Sequence, residues 1–202
     1  MAIAFHVLNA PGQHQNGWPG RMLVCGQSEA RRFHGELAPT HVLSIKTPGR
    51  NYLGPKDVAP ENHWMFEFDD VDEPGLAGAP TAEEVDEIIA RVATLPADAK
   101  LLIHGLQSVR RAPAVALGIL ATLVAPTDAA AALVPFCRHA PDPNRLVVDL
   151  FDSALGRDGA LRAACDARFV ASSSTLQRRS EADSSSFDFD MLAAADRQTA
   201  KG

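Results

Sequence analysis

Leu101-Leu102-Ile103-His104-Gly105-Leu106-Gln107-Ser108-Val109-Arg110-Arg111-Ala112-Pro113-Ala114 is the stretch that decides the fold of this chain. Lys100 to His104 is almost wholly apolar, which predicts a strand buried on both faces, central in a sheet. The residues after it make a tight loop, and a long apolar segment from about Arg111 to Val124 predicts a buried helix. A loop that ends on a helix start presents backbone N–H groups with no intrahelical acceptor. The helix dipole adds partial positive charge at the same place, so the junction suits an anion. Arg111 stands at that junction.

The rest of the composition narrows the classes. With 202 residues the chain can bury a full core and still carry a tail. Its hydrophobic content of 46% and charged content of 22% suit a globular protein. A formal charge of −6 argues against nucleic acid as the main partner. No apolar run reaches about 18 residues, so no membrane partner or span is expected. The start, Met1-Ala2-Ile3-Ala4-Phe5-His6, lacks a basic segment and a cleavage pattern. Cys25, Cys137 and Cys165 are odd in number and widely spaced, which predicts free thiols and a cytoplasmic protein. No metal-ligand spacing is present, and no metal or cofactor is expected.

Outward from the central strand, the pattern alternates. Residues 1–20 read as an irregular, loose lead-in. Arg21 to Cys25 predicts a strand, and Ser28 with Glu29 a helix start with Ser28 as N-cap. His41 to Ile45 is a second strand. A Pro/Gly-punctuated loop runs from Thr47 to Asn62. Trp64 to Phe68 is a third strand, ending at Asp69-Asp70. Thr81-Ala82-Glu83-Glu84 is a capping box, followed by an apolar face at Val85, Ile88, Ile89 and Val92. Pro96 ends that helix. Thr127 to Cys137 and Asn144 to Ser153 are two more helices, the second capped by Asn144. Strand–helix alternation predicts an α/β sandwich, with a mainly parallel sheet flanked by helices. One domain is expected over 21–170. Residues 171–202, rich in Ser and Asp, are expected to be disordered, with Phe187 to Leu192 an acidic-apolar patch inside them.

His104 and Arg111, with five residues between Gly105 and Arg111, resemble the phosphate-binding loop of cysteine-dependent protein phosphatases. Residues 21 to 165 are similar in order to the compact bacterial branch of the dual-specificity and tyrosine phosphatase family. His41-Val42-Leu43-Ser44-Ile45 resembles the family's early strand. Phe66 to Pro74 resembles the strand and loop that carry its general acid, and Pro80 to Val85 its next helix start. Pro143 to Val147 and Leu155 to Leu161 resemble that group's C-terminal helices. The resemblance implies a three-layer phosphatase-like sandwich. It implies phosphate binding by Gly105, Leu106, Gln107, Ser108, Val109, Arg110 and Arg111, with His104 orienting the loop. Asp70 falls where the family places its general acid, and Asp69 is the one-residue alternative.

The departures from the pattern matter more than the matches. Where the family has the cysteine that attacks phosphorus, this chain has Gly105. That chemistry needs a thiolate, and glycine has no side chain to supply one. Where the family has a Ser or Thr to steady the thiolate, this chain has Ala112. Ser108 and Arg110 also replace common residues, Gly and Ser respectively, so the loop reads as naturally diverged. Ser108 strains the loop if its position needs a positive φ. Cys25 to Arg31 also satisfies Cys, five residues, Arg, but Val24 replaces the histidine and Glu29 would put negative charge in the cradle. It reads as a chance match. Trp18 and Trp64 read as core rather than ligand contacts.

The resulting expectation is a pseudophosphatase that binds a phosphorylated protein or a small oxyanion. An active phosphatase using another nucleophile and a plain interaction scaffold are the alternatives. Arg111 is expected to dominate anion binding, with Arg50, in the early loop, contributing far less.

Overall fold

The computed structural model describes residues 3–8 and 14–169. The expectations for 171–202 lie outside them. Four parallel strands, β1 (Met22–Gly26), β2 (His41–Lys46), β3 (His63–Glu67) and β4 (Leu101–Gly105), form one sheet in the order β1-β4-β2-β3. The strand predicted to be central is central: β4 lies between β1 and β2, and all five of its residues are buried.

The two sheet faces are covered unequally. Helix α1 (Gln27–Leu37) covers one face, over Leu23, Cys25, Val42 and Leu102. The other face carries Met22, Val24, Leu43, Ile45, Leu101 and Ile103. It packs under a layer formed by α2 (Ala82–Ala93), α3 (Arg111–Ala121), α4 (Pro126–Phe136), α5 (Arg145–Ala154) and α6 (Ala160–Arg168). Every residue of α3 is buried, as its unbroken apolar run demands. Strand period explains the partition: odd-numbered β4 residues face the helical layer, and Leu102 and His104 face α1.

Several helix ends follow local chemistry. Thr81 and Glu84 form the predicted capping box, and the Asn144 side chain accepts from Val147 N–H at 3.0 Å. Two expectations are corrected. The N-cap of α1 is Gly26, not Ser28: Gly26 is extended, and its N–H donates to the Glu29 carboxylate at 2.9 Å. Cys137 is not helical. It follows α4 in extended conformation and bridges in parallel to Val24. The described part of the lead-in is tied to the sheet and its surroundings. Trp18 is fully buried and donates from Nε1 to the Ala99 carbonyl at 3.0 Å, and His6 exchanges two backbone hydrogen bonds with Met22.

Candidate functional site

The junction between β4 and α3 is built around Ser108. Its φ is +54°, the left-handed conformation that favours glycine. The hydroxyl holds it there. Oγ accepts from Gly105 N–H at 2.9 Å and donates to the Cys25 carbonyl on β1. Neighbouring segments take up the loop's carbonyls: Asp142 N–H donates to Val109 at 2.9 Å, and Asn144 N–H to Arg110 at 3.2 Å. Among the described residues, the N–H groups of Leu106, Gln107, Val109 and Arg110 donate to no protein acceptor. That leaves a short run of donors at the start of α3, the arrangement that suits an anion.

Gly105 closes β4 with ordinary geometry. A Cβ built on it would lie 3.7 Å from the Ile45 carbonyl, 3.8 Å from Ile45 Cβ and 4.0 Å from Ala112 Cβ. These are normal van der Waals separations, so the backbone does not require glycine here. The space beside Gly105 adjoins Ala112, which carries no hydroxyl.

Both arginines are engaged. Arg111 is buried; it donates to the Phe68 carbonyl and, at 2.9 Å, to Thr47 Oγ1. Arg110 pairs with Asp70 at 3.1 Å and with Asp72, and Asp142 lies 4.0 Å away. Those carboxylates hold the Arg110 guanidinium above its ordinary range against the opposing effect of burial. Asp70 also accepts from Asn144 Nδ2 at 2.8 Å. Asp70 Oδ1 thus accepts two hydrogen bonds, one from Arg110 and one from Asn144. Asp69 is tied through its backbone, donating to the Gly78 carbonyl at 2.6 Å.

His104 points away from the loop, onto the α1 side of the sheet. Its Nε2 shares a hydrogen bond of 2.8 Å with Ser44 Oγ, its register partner on β2. Ser44 also contacts His63 Nε2 at 2.8 Å and Tyr52 hydroxyl at 3.1 Å. Gly54 closes over this cluster, because a Cβ there would collide with the Tyr52 ring and with His104 Cε1. The Nδ1 of His104 is buried without a protein partner, as is Nε2 of His34 on α1. Burial first, then the nearby His63, pushes the His104 imidazole down to about 3. Sequence reasoning missed this cluster: Ser44 and His104 are obvious only once β2 and β4 pair in parallel.

Beside the loop lies a cavity of about 200 Å³, lined by Gln27, Ile45, Lys46, Thr47, Arg50, Asn51, Leu53 and Leu106. Arg50, expected to contribute far less to anion binding than Arg111, shares this cavity with Leu106. Lys46 is paired with Glu67 at 2.7 Å.

None of the cysteines offers an activated thiol. Cys25 is buried in β1, and desolvation, with Glu29 nearby, pushes its thiol up to about 12. Burial raises Cys137 to about 12 and Cys165 to about 11. Glu29, in the middle of the apparent Cys25–Arg31 pattern, is committed to capping α1 and to Arg138 and His139. Among the described residues no cluster of three metal-ligating side chains occurs, and no helix is long and apolar enough to cross a membrane.

This sheet order, the one-against-five helix layering and the β4–α3 loop define a protein with the protein tyrosine/dual-specificity phosphatase fold. In particular, the chain is similar to the human tyrosine phosphatase-like serine/threonine/tyrosine-interacting protein, at 18% identity and a TM-score of 0.50, covering 72% of this chain and 97% of that one. It is similar to human DUSP28 at 16% identity and a TM-score of 0.50, covering 73% and 99%. A mouse putative dual specificity phosphatase complexed with zinc tungstate matches at 16% identity and a TM-score of 0.50, covering 77% and 94%. No protein-family model and no curated protein matches the chain.

Proposed function

We propose that this protein is a pseudophosphatase, a phosphatase-fold protein that binds a phosphorylated ligand or related oxyanion and does not hydrolyse it. The observation that carries the reading is the Gly105–Ala112 pair. The site of the attacking atom is a glycine in an unconstrained backbone, and its neighbour lacks the supporting hydroxyl. Forming a phosphoenzyme requires an activated nucleophile, and the three thiols are held well above neutrality. The N–H groups of Leu106, Gln107, Val109 and Arg110, which donate to no described acceptor, support retained anion binding. The tungstate carried by the mouse neighbour is in keeping with an oxyanion on this fold.

A second reading, an interaction scaffold whose loop binds nothing, has one observation in its favour. Arg110 is paired with Asp70, and Arg111 donates to the Phe68 carbonyl and the Thr47 hydroxyl. Titration of the ¹⁵N-labelled protein with inorganic phosphate separates the two. The binding reading expects the amide signals of residues 105–112 to move at millimolar phosphate. Stationary signals favour the scaffold. Hydrolysis of an aryl phosphate above a buffer blank would instead favour an active enzyme, and loss of that activity in Cys25→Ser would name its nucleophile.

A further inference from the structure

We propose that the Tyr52 hydroxyl is an acid-sensitive latch: it fastens the 47–62 segment as a strap over the α1 side of the sheet, and acid releases the strap and opens the wall of the cavity beside it. The device stands whether or not the β4–α3 loop takes an anion. Among the described residues, 51–58 make no backbone–backbone hydrogen bond. Tyr52, the only tyrosine of the chain, supplies the polar anchor. Its hydroxyl donates to the Pro55 carbonyl at 3.1 Å, which holds the bend of the strap. The same hydroxyl meets Ser44 Oγ at 3.1 Å, His63 Nε2 at 3.2 Å and His104 Nε2 at 3.3 Å. Gly54 and Pro55 are buried, and Val58 packs against the apolar cluster under α1. Arg50, Asn51 and Leu53, on the same strap, wall the cavity.

The latch closes over a group that has no place for a second proton. His104 is buried, its Nε2 is taken up by Ser44 and Tyr52, and its Nδ1 has no protein partner. An imidazolium carries N–H on both nitrogens. Protonation under the closed strap therefore adds a buried charge and a buried donor without an acceptor. The groups around His104 bring no counter-charge. Ser44 faces it from β2, Tyr52 from the strap, and the neutral Cys25 thiol is its register neighbour on β1. His63 on β3 opposes positive charge on it, and His34 on α1 opposes positive charge on His63. Releasing the strap admits water to the imidazole and removes both penalties. Closed, the His104 imidazole is held down to about 3; released, it returns toward about 6.5, so a falling pH favours the released state. Lifting 51–58 breaks no backbone ladder, whereas β4 is hydrogen-bonded along both edges, so the strap yields before the sheet.

The test follows the ¹⁵N-labelled full chain from pH 7 to pH 5 with a soluble gadolinium chelate, whose relaxation of amide protons reads exposure. The Tyr52 and Gly54 amides are expected to gain relaxation severalfold by pH 5, while the indole N–H of the buried Trp18 keeps its own. Tyr52→Phe, which keeps the ring and drops the hydroxyl, should show the exposed pattern already at pH 7. His104→Gln should hold the strap closed down to pH 5. If the Tyr52 and Gly54 amides stay protected at pH 5, or become exposed only together with Trp18, acid release of the strap is refuted. If Tyr52→Phe is as protected as the parent at pH 7, the hydroxyl is no latch, and that arm decides the matter even where His104→Gln does not fold. If folded His104→Gln opens as the parent does, His104 is not the group that senses acid and the mechanism is overturned.

Discussion

Gly105 and Ser108 divide the properties of the loop between them. On the proposed reading Gly105 stands where a nucleophile would, and its surroundings would accept a side chain without a clash. Gly105→Cys should therefore fold as the parent does and place sulfur at the start of α3, where the helix dipole and the neighbouring arginines favour a thiolate. Its thiol, titrated by absorbance or alkylation rate, should ionise clearly below the free value of about 8.5. A value at or above that figure would mean the loop has lost its positive potential. Ser108 carries the shape of the loop. The need for a positive φ at its position was readable by analogy, and the structure has it. How serine tolerates it was not readable, because the acceptor of its hydroxyl, the Cys25 carbonyl, lies on another strand. Ser108→Ala keeps the unfavourable φ and loses both hydrogen bonds, at a cost of about 1–3 kcal/mol. Ser108→Gly loses the same bonds but recovers about 1 kcal/mol of backbone strain. Urea midpoints should rank parent above Ser108→Gly above Ser108→Ala, and the reverse order for the two variants would refute this account of the loop.

At the scale of elements, local signals were legible and remote ones were not. Thr81 and Asn144 announce their helices because each caps a donor three residues on. The start of α6 gives no such signal. Its cap is the buried Asp152, which accepts from Gly159 and Leu161 N–H at 2.6 Å from the preceding helix. Asn144 does more than cap: its amide also ties α5 to Asp70 and the Val71 carbonyl. Asn144→Ala should cost about 1–2 kcal/mol from the cap alone, read as a lower melting temperature. The contact between α3 and α5 depends on Gly118. A Cβ at that position would overlap the Phe151 ring, which is fully buried and has nowhere to go. Gly118→Ala gains up to about 1 kcal/mol of helix propensity but overpacks the core by about 1–3 kcal/mol. Net destabilisation in thermal melts is expected, and a stabilised variant would show that the helices can separate cheaply.

Across the whole molecule, the parallel α/β order was legible because strands β1, β2 and β4 are short apolar runs separated by helical stretches. What the sequence hid are contacts that exist only after the strands pair: the Ser44–Tyr52–His63–His104 cluster, and the cavity that brings Arg50 to Leu106. The cluster gives the protein a pH dependence with a definite sign. His104 ionises near 3 when folded and near 6.5 when unfolded, so the unfolded chain takes up the proton first. Its contribution is fully present above pH 6.5 and declines as pH falls toward 3, on the order of a few kcal/mol in all. His63, His14 and His41, also lowered chiefly by burial, act in the same direction. Melting temperature should fall between pH 6.5 and 5, before most carboxylates titrate, and His104→Gln should flatten that fall; an unchanged slope would remove His104 as its cause. The central claim, binding of a phosphoester without turnover, is tested most directly in one labelled sample held with phenyl phosphate and followed by ³¹P and ¹H–¹⁵N spectra. The account predicts that amide signals of residues 105–112 move while the ester resonance keeps its intensity. Inorganic phosphate appearing in proportion to protein, or amides that do not move, would contradict it.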